Sequence, residues 1–362
     1  VGFFFLGSPI ELPSVVRGAD STTTQNVSDY TLVNNLHHSS PARVLWCGFP
    51  LFFGKKNYSI TDAIFPEVQT VVQYTEANVD TTQPSDVLFI SAGGPCPFRP
   101  PALQEHFPGK ILYLHGNGKN NSPDAHQRLY TLGPQQQNVG DNESSRHSIW
   151  TIYGAMHLAT FPLDVQRTIY EPELRVKTNG RYFLLYLASH CLLEREQAFH
   201  HLAAIGPAHY GGSCSGDMVD GRAPHNASRT PGQIQGRREW AFNKNIFPDY
   251  RFALVMENSN DQGYISEKII NAFLGGTVPI WSGTTEISTI FNDRAFVYYD
   301  PQNPQAAMDR VAYLEANRTA YEDVLHEPIL ANGNRTVQDF FSFQDQVGGG
   351  KLKWEIRSKM GY

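Results

Sequence analysis

The chain has 362 residues, of which 41% are hydrophobic and 12% aromatic. This length suits two domains of about 150 to 180 residues each, and the apolar content excludes global disorder. The net charge of −6 argues against a general nucleic-acid binder, and the absence of about 18 consecutive apolar residues argues against a membrane-spanning helix.

Residues 1–40 are rich in Ser, Thr and Asn and have little periodicity, so we expect a stem or an extended arm. The opening stretch VGFFFLGSPI is typical either of the end of a membrane anchor or of a buried strand. Both interpretations stay open, and a membrane anchor N-terminal to this chain is one of them.

Three short apolar runs follow, each typical of a buried strand in a parallel sheet. They are ARVLWCGFPLFF at 42–53, DVLFIS at 86–91 and KILYL at 110–114. Proline-rich turns separate the second run from the third. We therefore expect an N-terminal α/β domain over residues 41–165.

A second α/β unit begins with the apolar run RYFLLYLAS at 181–189, and residues 195–205 follow with helical spacing. The stretch 215–238 has no pattern and is typical of a functional loop. Two further helices are expected over 306–316 and 320–326. The predicted C-terminal domain covers residues 180–345, and we expect a tail over 346–362.

The most informative stretch is RFALVMENSNDQGYISEKIINAFLGGTVPIWS at 251–282. It predicts a strand, a polar turn that opens a helix, and a second strand. Such parallel units bind nucleotides at the carboxyl ends of their strands. A helix N-terminus offers unpaired N–H groups to a diphosphate, and a nearby lysine adds a charge-assisted bond.

Four cysteines and seven N-x-S/T sequons indicate the secretory pathway, the Golgi or ER lumen, where disulfides persist. The alternative is a cytosolic protein with four reduced thiols. The cysteines form no C-x-x-C pair and no zinc-ligand spacing. A proline weakens the sequon at Asn120, and the six remaining candidates for N-glycosylation are Asn26, Asn57, Asn142, Asn226, Asn317 and Asn334.

The ENS, YISEK and GTVPIWSG segments resemble the signature of the α1,3-fucosyltransferases that use GDP-fucose, the enzymes of glycosyltransferase family 10. The block from Ser189 through Arg195 to Cys214 is similar to the segment just upstream in that family. The resemblance spans roughly residues 42–330. It implies an α/β fold of GT-B type, with two Rossmann-like domains facing a central cleft and GDP-fucose held by the C-terminal one.

The resemblance also implies the donor-binding residues, which it places in the turn, the helix start and the upstream block: Arg195, Glu257, Asn258, Tyr264, Glu267 and Lys268. Lys268 and Arg195 would bind the diphosphate, and Glu267 would contact ribose or fucose hydroxyls. Glu257 is expected to be a structural or sugar-contacting carboxylate. Charges on the first turn of a solvated helix are the alternative for Glu267 and Lys268.

Two disulfide bridges are expected. The related segment of the family carries a cysteine pair where this chain has Cys191 and Cys214, which flank one predicted helix. Cys47 and Cys96 lie near the ends of two neighbouring strands and are candidates for the second bridge.

The sequence departs from the family where the catalytic base is expected. The family has a glutamate after the third strand, but this chain has Asn117 or Asn121 there, depending on the alignment. An amide cannot accept the proton of an attacking hydroxyl. His115 and Asp124 are therefore the candidate bases, and a histidine at a strand end is also often only a packed residue.

The function that the resemblance implies is inverting transfer of L-fucose from GDP-fucose to a GlcNAc-containing glycan or glycoprotein. The sequence has no D-x-D motif, and we expect no metal ion and no other cofactor. A catalytically silent relative that binds glycan or nucleotide, or serves as a structural glycoprotein, is the alternative. A transferase that uses another nucleotide sugar is a third interpretation.

Overall fold

Two parallel β-sheets of six strands each form the frame of the computed structural model, within the residues that it describes. Those residues are 40–48, 60–91, 96, 106–115, 128–133, 147–231 and 240–362. The predicted stem over residues 1–40 lies outside them except for Ser40.

The first sheet has the strand order β2-β1-β3-β4-β5-β6. Its central strands are short apolar runs buried on both faces, as parallel sheets require. The predicted runs at 42–53, 86–91 and 110–114 contain β1, β3 and β4. The strands are β1 Val44–Cys47, β2 Val71–Gln73, β3 Val87–Ser91, β4 Lys110–Leu114, β5 Leu129–Gly133 and β6 Ser148–Trp150.

The second sheet has the order β12-β11-β10-β7-β8-β9. The chain order reverses between β10 and β7, and ligands of such sheets bind at the carboxyl ends of the strands beside this point. The strands are β7 Tyr182–Ala188, β8 Ala208–Gly212, β9 Ala227–Arg229, β10 Tyr250–Met256, β11 Val278–Ser282 and β12 Val297–Tyr298.

Helices connect the strands and cover the sheets. The three helices predicted over 195–205, 306–316 and 320–326 are present as α4, α6 and α7. The helices are α1 Ile60–Ile64, α2 Tyr153–Leu158, α3 Leu163–Tyr170, α4 Leu193–Ala203, α5 Glu267–Leu274, α6 Gln305–Ala316, α7 Arg318–His326 and α8 Lys351–Lys359. Within the described residues no helix combines the length and the apolar character needed to span a membrane.

One apolar cluster runs through both halves of residues 39–362. It includes Phe89 and Leu112 of the first sheet together with Leu185 and Val255 of the second. The opposite face of each sheet has a smaller cluster of its own. The predicted boundaries at 41–165 and 180–345 remain predictions.

The segment expected to be a tail contains a helix packed against the first half. Arg357 of α8 donates to the Ile64 carbonyl at 3.2 Å and to Glu67 Oε2 at 3.0 Å. Its guanidinium also lies 5.0 Å from the centre of the Phe65 ring. A buried arginine needs such partners, so contacts distant in sequence fix α8 to α1 and to the segment that follows α1.

Candidate active site

The candidate site lies where β10, β7 and β11 end, at the reversal of strand order in the second sheet. Glu257 follows β10 directly, and its backbone N–H donates to the Ser282 carbonyl at 2.8 Å. The loop that leads from β10 to α5 is held by Gly263, whose N–H donates to Glu286 Oε2 at 2.6 Å. Gly263 has φ of 67°, a backbone conformation that favours glycine.

Glu257 is the buried carboxylate of the site, with 0% of its side chain exposed. It accepts from the Ser266 backbone N–H at 2.7 Å and from the Ser266 hydroxyl at 2.8 Å. Lys268 Nζ donates to Glu257 Oε2 at 2.9 Å, the oxygen that the hydroxyl bonds. These donors offset the desolvation of the charge, since a buried carboxylate without partners is costly.

Ser266 occupies the N-cap position of α5 but its hydroxyl bonds Glu257 instead of the helix. No side-chain cap is made by this residue, and among the described residues none is recorded at this helix start. The N–H groups of the first turn, at Glu267 and Lys268, have no partner within the helix. The N-terminus of α5 is therefore available to an anionic group.

Lys268 lies on the first turn of α5 and is 26% exposed along its side chain. Its ammonium group bonds Glu257 and, at 2.8 Å, the Ser266 hydroxyl. Burial alone would lower the pKa of Lys268, but the carboxylates of Glu257 and Glu267 outweigh burial and raise this pKa. An ammonium has three donors, and these two contacts leave one of them for a ligand.

Glu267 begins α5 and is 9% exposed. Two side chains of α2, from the other half of the chain, are its electrostatic neighbours. Burial, the larger cause, and the charge of Glu267 both raise the pKa of Tyr153. For His157, burial lowers the pKa and outweighs the charge of Glu267, which would raise it. His157 Nε2 lies 3.4 Å from Asn271 Oδ1.

Helix α2 packs directly against the start of α5. The Gly154 N–H donates to the Ile265 carbonyl at 3.0 Å. A Cβ atom on Gly154 would lie 2.7 Å from the Ser266 carbonyl oxygen, so the close approach requires glycine. The N-terminal half thus helps to position the helix start.

Arg195 lies on the first turn of α4 and is 4% exposed. Its guanidinium donates to the His190 carbonyl at 3.0 Å, to the Met256 carbonyl at 2.7 Å and to Asn258 Oδ1 at 2.6 Å. Burial lowers the pKa of Arg195 despite nearby acidic groups. Arg195 is thus hydrogen-bonded to backbone carbonyls at the ends of β7 and β10. The predicted contact of Arg195 with the diphosphate stays a prediction.

Asn258 and Tyr264 face each other across the loop before α5. Asn258 Nδ2 donates to the Tyr264 hydroxyl at 3.3 Å. Burial raises the pKa of the half-buried Tyr264 phenol. All six predicted donor-binding residues therefore lie in one region at the end of the second sheet, although nothing in these contacts tests their roles.

Both predicted disulfides are present. Cys191 and Cys214 are bridged with a Cα–Cα distance of 5.3 Å, and Cys47 and Cys96 with one of 5.2 Å. The first bridge joins the start of α4 to the segment after β8. It holds together two of the chain segments that border the candidate site.

The candidate bases are only partly described. His115 directly follows β4, is 5% exposed, and stacks near Tyr113 with ring centres 6.2 Å apart. Gly133 of β5 is packed closely against the His115 ring. Asp124, Asn117 and Asn121 lie outside the described residues, so the choice of base stays a prediction.

Three of the predicted glycosylation sites are described. Asn226 and Asn334 are exposed. Asn317 caps α7 by accepting from the Ala320 N–H at 3.0 Å, and its Nδ2 donates to Tyr313 at 3.2 Å. Asn26, Asn57 and Asn142 lie outside the described residues.

Three residues that contribute to the site were not predicted. Ser266 was inside the YISEK motif but was given no role, because its contact with Glu257 depends on the fold. Tyr153 and His157 belong to a helix that the sequence pattern did not predict. Across the described residues no group of three or more His, Cys, Asp or Glu is placed to hold a metal ion.

Comparison with known proteins gives a consistent result. Residues 181–326 match the model of the glycosyltransferase family 10 (fucosyltransferase) C-terminal domain. Alpha-(1,3)-fucosyltransferase FucT of Helicobacter pylori is 40% identical over 87 residues, which are 24% of this chain and 18% of that protein. A putative fucosyltransferase-like protein of Arabidopsis thaliana is 30% identical over 78 residues, 21% of this chain and 15% of that protein.

These alignments span less than a fifth of the curated relatives' own length. A solved α1,3-fucosyltransferase with GDP-fucose has a TM-score of 0.55 and 19% identity, and the match covers 90% of this chain and 93% of that one. A second solved structure of an α1,3-fucosyltransferase gives a TM-score of 0.56 and 18% identity, and the match covers 90% of this chain and 92% of that one. This likeness confirms the predicted fold of two Rossmann-like halves of GT-B type.

Proposed function

We propose that the protein transfers L-fucose from GDP-fucose to a glycan, because residues 181–326 match the model of the glycosyltransferase family 10 (fucosyltransferase) C-terminal domain. One observation carries the proposal. The N-terminus of α5 has no side-chain cap and stands beside Lys268 at the strand-order reversal of the second sheet. This is the place where parallel sheets bind nucleotides.

The diphosphate of the donor would accept hydrogen bonds from the N–H groups of Glu267 and Lys268. The remaining proton of the Lys268 ammonium would add a charge-assisted bond. As the bond to fucose breaks, negative charge grows on the leaving diphosphate, and these groups would stabilise it. The helix dipole and the lysine supply positive charge here, so the proposal needs no metal ion.

The transfer would invert the configuration of the anomeric carbon. An acceptor hydroxyl attacks this carbon from the face opposite the diphosphate, the carbon–oxygen bond to phosphate breaks, and GDP leaves with the bonding electrons. The hydroxyl proton passes to a base, for which His115 and Asp124 are the candidates. Glu267, nine-tenths buried beside the helix start, would bind hydroxyls of the fucose or the ribose.

We propose a GlcNAc-containing glycan or glycoprotein as the acceptor, bound by the N-terminal half. The two disulfides and the exposed sequons at Asn226 and Asn334 support a location in the Golgi or ER lumen. A preceding membrane anchor would hold the enzyme there.

The alternative is a catalytically silent relative that keeps the nucleotide site. One observation favours it: Asn117 and Asn121 stand where the family has its glutamate. Such a protein would bind GDP and transfer nothing. Restored transfer by Asn117→Glu or Asn121→Glu would support this alternative.

Calorimetry with GDP and GDP-fucose, followed by an assay of GDP release with and without GlcNAc-terminated acceptors, tests the proposal. We expect GDP to bind and its release to depend on the acceptor. Lys268→Ala should weaken GDP binding at least tenfold, whereas Lys177→Ala, a change at an exposed lysine elsewhere, should not. Equal GDP affinity of wild type and Lys268→Ala would refute the assignment of α5 to the phosphates.

A further inference from the structure

We propose that Asn317 carries an N-linked glycan whose first GlcNAc packs against the exposed ring of Tyr313. Asn317, Arg318 and Thr319 form an N-x-T sequon at the corner between α6 and α7. The inference rests on the proposed lumenal location of the protein and does not depend on fucosyl transfer. It assigns a modification to this corner and a contact partner to the first sugar.

The hydrogen bonds of the Asn317 amide show where a glycan would point. The Ala320 backbone N–H donates at 3.0 Å to one end of this amide, so that end must be the acceptor Oδ1. The other end, Nδ2, then lies 3.2 Å from the Tyr313 hydroxyl. A glycan is attached to Nδ2, and Oδ1 therefore remains the N-cap of α7 after the modification.

Tyr313 offers an apolar surface at the place where the first sugar must stand. The residue is 51% exposed, and the Arg310 guanidinium lies 5.7 Å from the centre of its ring. A single bond of about 1.45 Å joins the sugar to Nδ2, so the GlcNAc ring begins beside the phenol. The face of an aromatic ring carries partial negative charge and attracts the weakly positive C–H groups on the apolar side of a sugar.

The corner between α6 and α7 lies at the opposite end of the second sheet from the candidate active site. Glu315 of α6 accepts at 2.8 Å from Nε of Arg251, which stands at the amino end of β10. The Tyr321 hydroxyl of α7 donates to the Arg251 carbonyl at 3.0 Å. Since the candidate site lies at the carboxyl ends of these strands, a glycan at Asn317 would leave the donor site accessible.

The modification requires an oligosaccharide carried on a polyprenyl pyrophosphate. Nδ2 of Asn317 forms a bond to C1 of the first GlcNAc, the bond from C1 to the pyrophosphate oxygen breaks, and the lipid pyrophosphate leaves with the bonding electrons. One of the two Nδ2 protons is lost to a base of the transferase. Both ends of the amide are hydrogen-bonded in the folded protein, so the transfer precedes folding of this corner.

Glycopeptide mass spectrometry of the protein secreted from a eukaryotic host tests whether Asn317 is modified. We expect a glycan at Asn317, and we expect Thr319→Ala to abolish it while leaving the Asn317 cap in place. Ser228→Ala, which removes the exposed sequon at Asn226, is the matched control and should leave the Asn317 glycan unchanged. An unmodified Asn317 in protein that carries a glycan at Asn226 would overturn the proposal. Absence of glycans at every sequon would overturn it together with the lumenal location.

A double-mutant cycle tests the contact between the glycan and Tyr313. Thermal unfolding would be measured for wild type, Tyr313→Ala, Thr319→Ala and the double variant. We expect Tyr313→Ala to lower the unfolding temperature by about 2 °C more when the glycan is present than when Thr319→Ala has removed it. Tyr313→Phe keeps the ring and should retain most of the stability that the glycan adds. Trimming the glycans to their first GlcNAc should leave the difference unchanged, because that sugar makes the contact.

Equal losses for Tyr313→Ala with and without the glycan would overturn the contact and leave Tyr313 only as a partner of the Asn317 amide. A difference that disappears on trimming would assign the contact to outer sugars and would also overturn it. GDP affinity should be the same in all these variants, since the corner lies away from the candidate site. A wild type that does not bind GDP would refute the proposed function and leave the Asn317 assignment standing.

Discussion

Replacing Lys268 by methionine should destabilise the protein as well as weaken donor binding. The change leaves Glu257, whose side chain is 0% exposed, with only the two Ser266 donors. Removing one partner of a buried ion pair costs about 3–5 kcal/mol. Because 26% of the lysine side chain is exposed and water can reach the carboxylate, we expect the lower end, about 3 kcal/mol.

Removing the carboxylate charge as well should recover most of that loss. In the double variant Glu257→Gln/Lys268→Met no buried charge remains unpaired, and the net cost should be about 1 kcal/mol. Urea unfolding of the two single variants and the double variant, followed by tryptophan fluorescence, measures these differences. Lys177→Met is the matched control at an exposed lysine.

Urea unfolding measures stability and calorimetry measures GDP affinity, so the two effects of these changes can be separated. The double variant should regain stability and still bind GDP at least tenfold more weakly than wild type, since the ammonium is absent. A double variant less stable than Lys268→Met would refute the account of Glu257 as a carboxylate that depends on the lysine.

Three further outcomes are expected. Burial lowers the pKa of His157 below its unfolded value of about 6.5, so its contribution to stability is present above pH 6.5 and is lost as the pH falls. His157→Gln should therefore flatten the pH dependence of the urea midpoint between pH 7 and 5. An unchanged pH dependence in this variant would contradict the prediction. Replacing Cys191 and Cys214 by serine should cost about 3 kcal/mol of unfolding free energy, whereas alkylation of either thiol in the native protein would show that no bridge exists. If His115 is the base, transfer should rise with pH through about 6.5 and fall by about two to four orders of magnitude in His115→Ala; a flat profile with loss of activity in Asp124→Asn would assign the base to Asp124.

The strand–helix–strand unit β10–α5–β11 was predictable because each element carries its own signal. The strands are long apolar runs, and the turn between them is polar. The edge strands β2, β6, β9 and β12 have two or three residues each, too few for a periodic pattern, and they were not predicted from the sequence. They exist because a neighbouring strand offers them hydrogen bonds.

The C-terminal helix shows a different limit. Its sequence is basic and follows three consecutive glycines, and this pattern predicts a tail. In the structure Arg357 bonds Glu67 and the Ile64 carbonyl, residues almost 300 positions earlier. Contacts of that separation leave no local pattern.

The same limit applies inside the candidate site. The motif named Glu257 and Lys268, but it did not predict that they pair with each other. The Ser266 hydroxyl bonds Glu257 as well, and this residue makes no side-chain cap at the start of α5. Only the fold brings the end of β10 within bonding distance of the helix start.

A crystal structure of the protein with GDP tests the central claim most directly. The account predicts that phosphate oxygens of GDP lie at the N-terminus of α5, within about 3 Å of the backbone nitrogens of Glu267 or Lys268 and of Lys268 Nζ. GDP bound elsewhere on the second sheet, or phosphates turned away from α5, would contradict it.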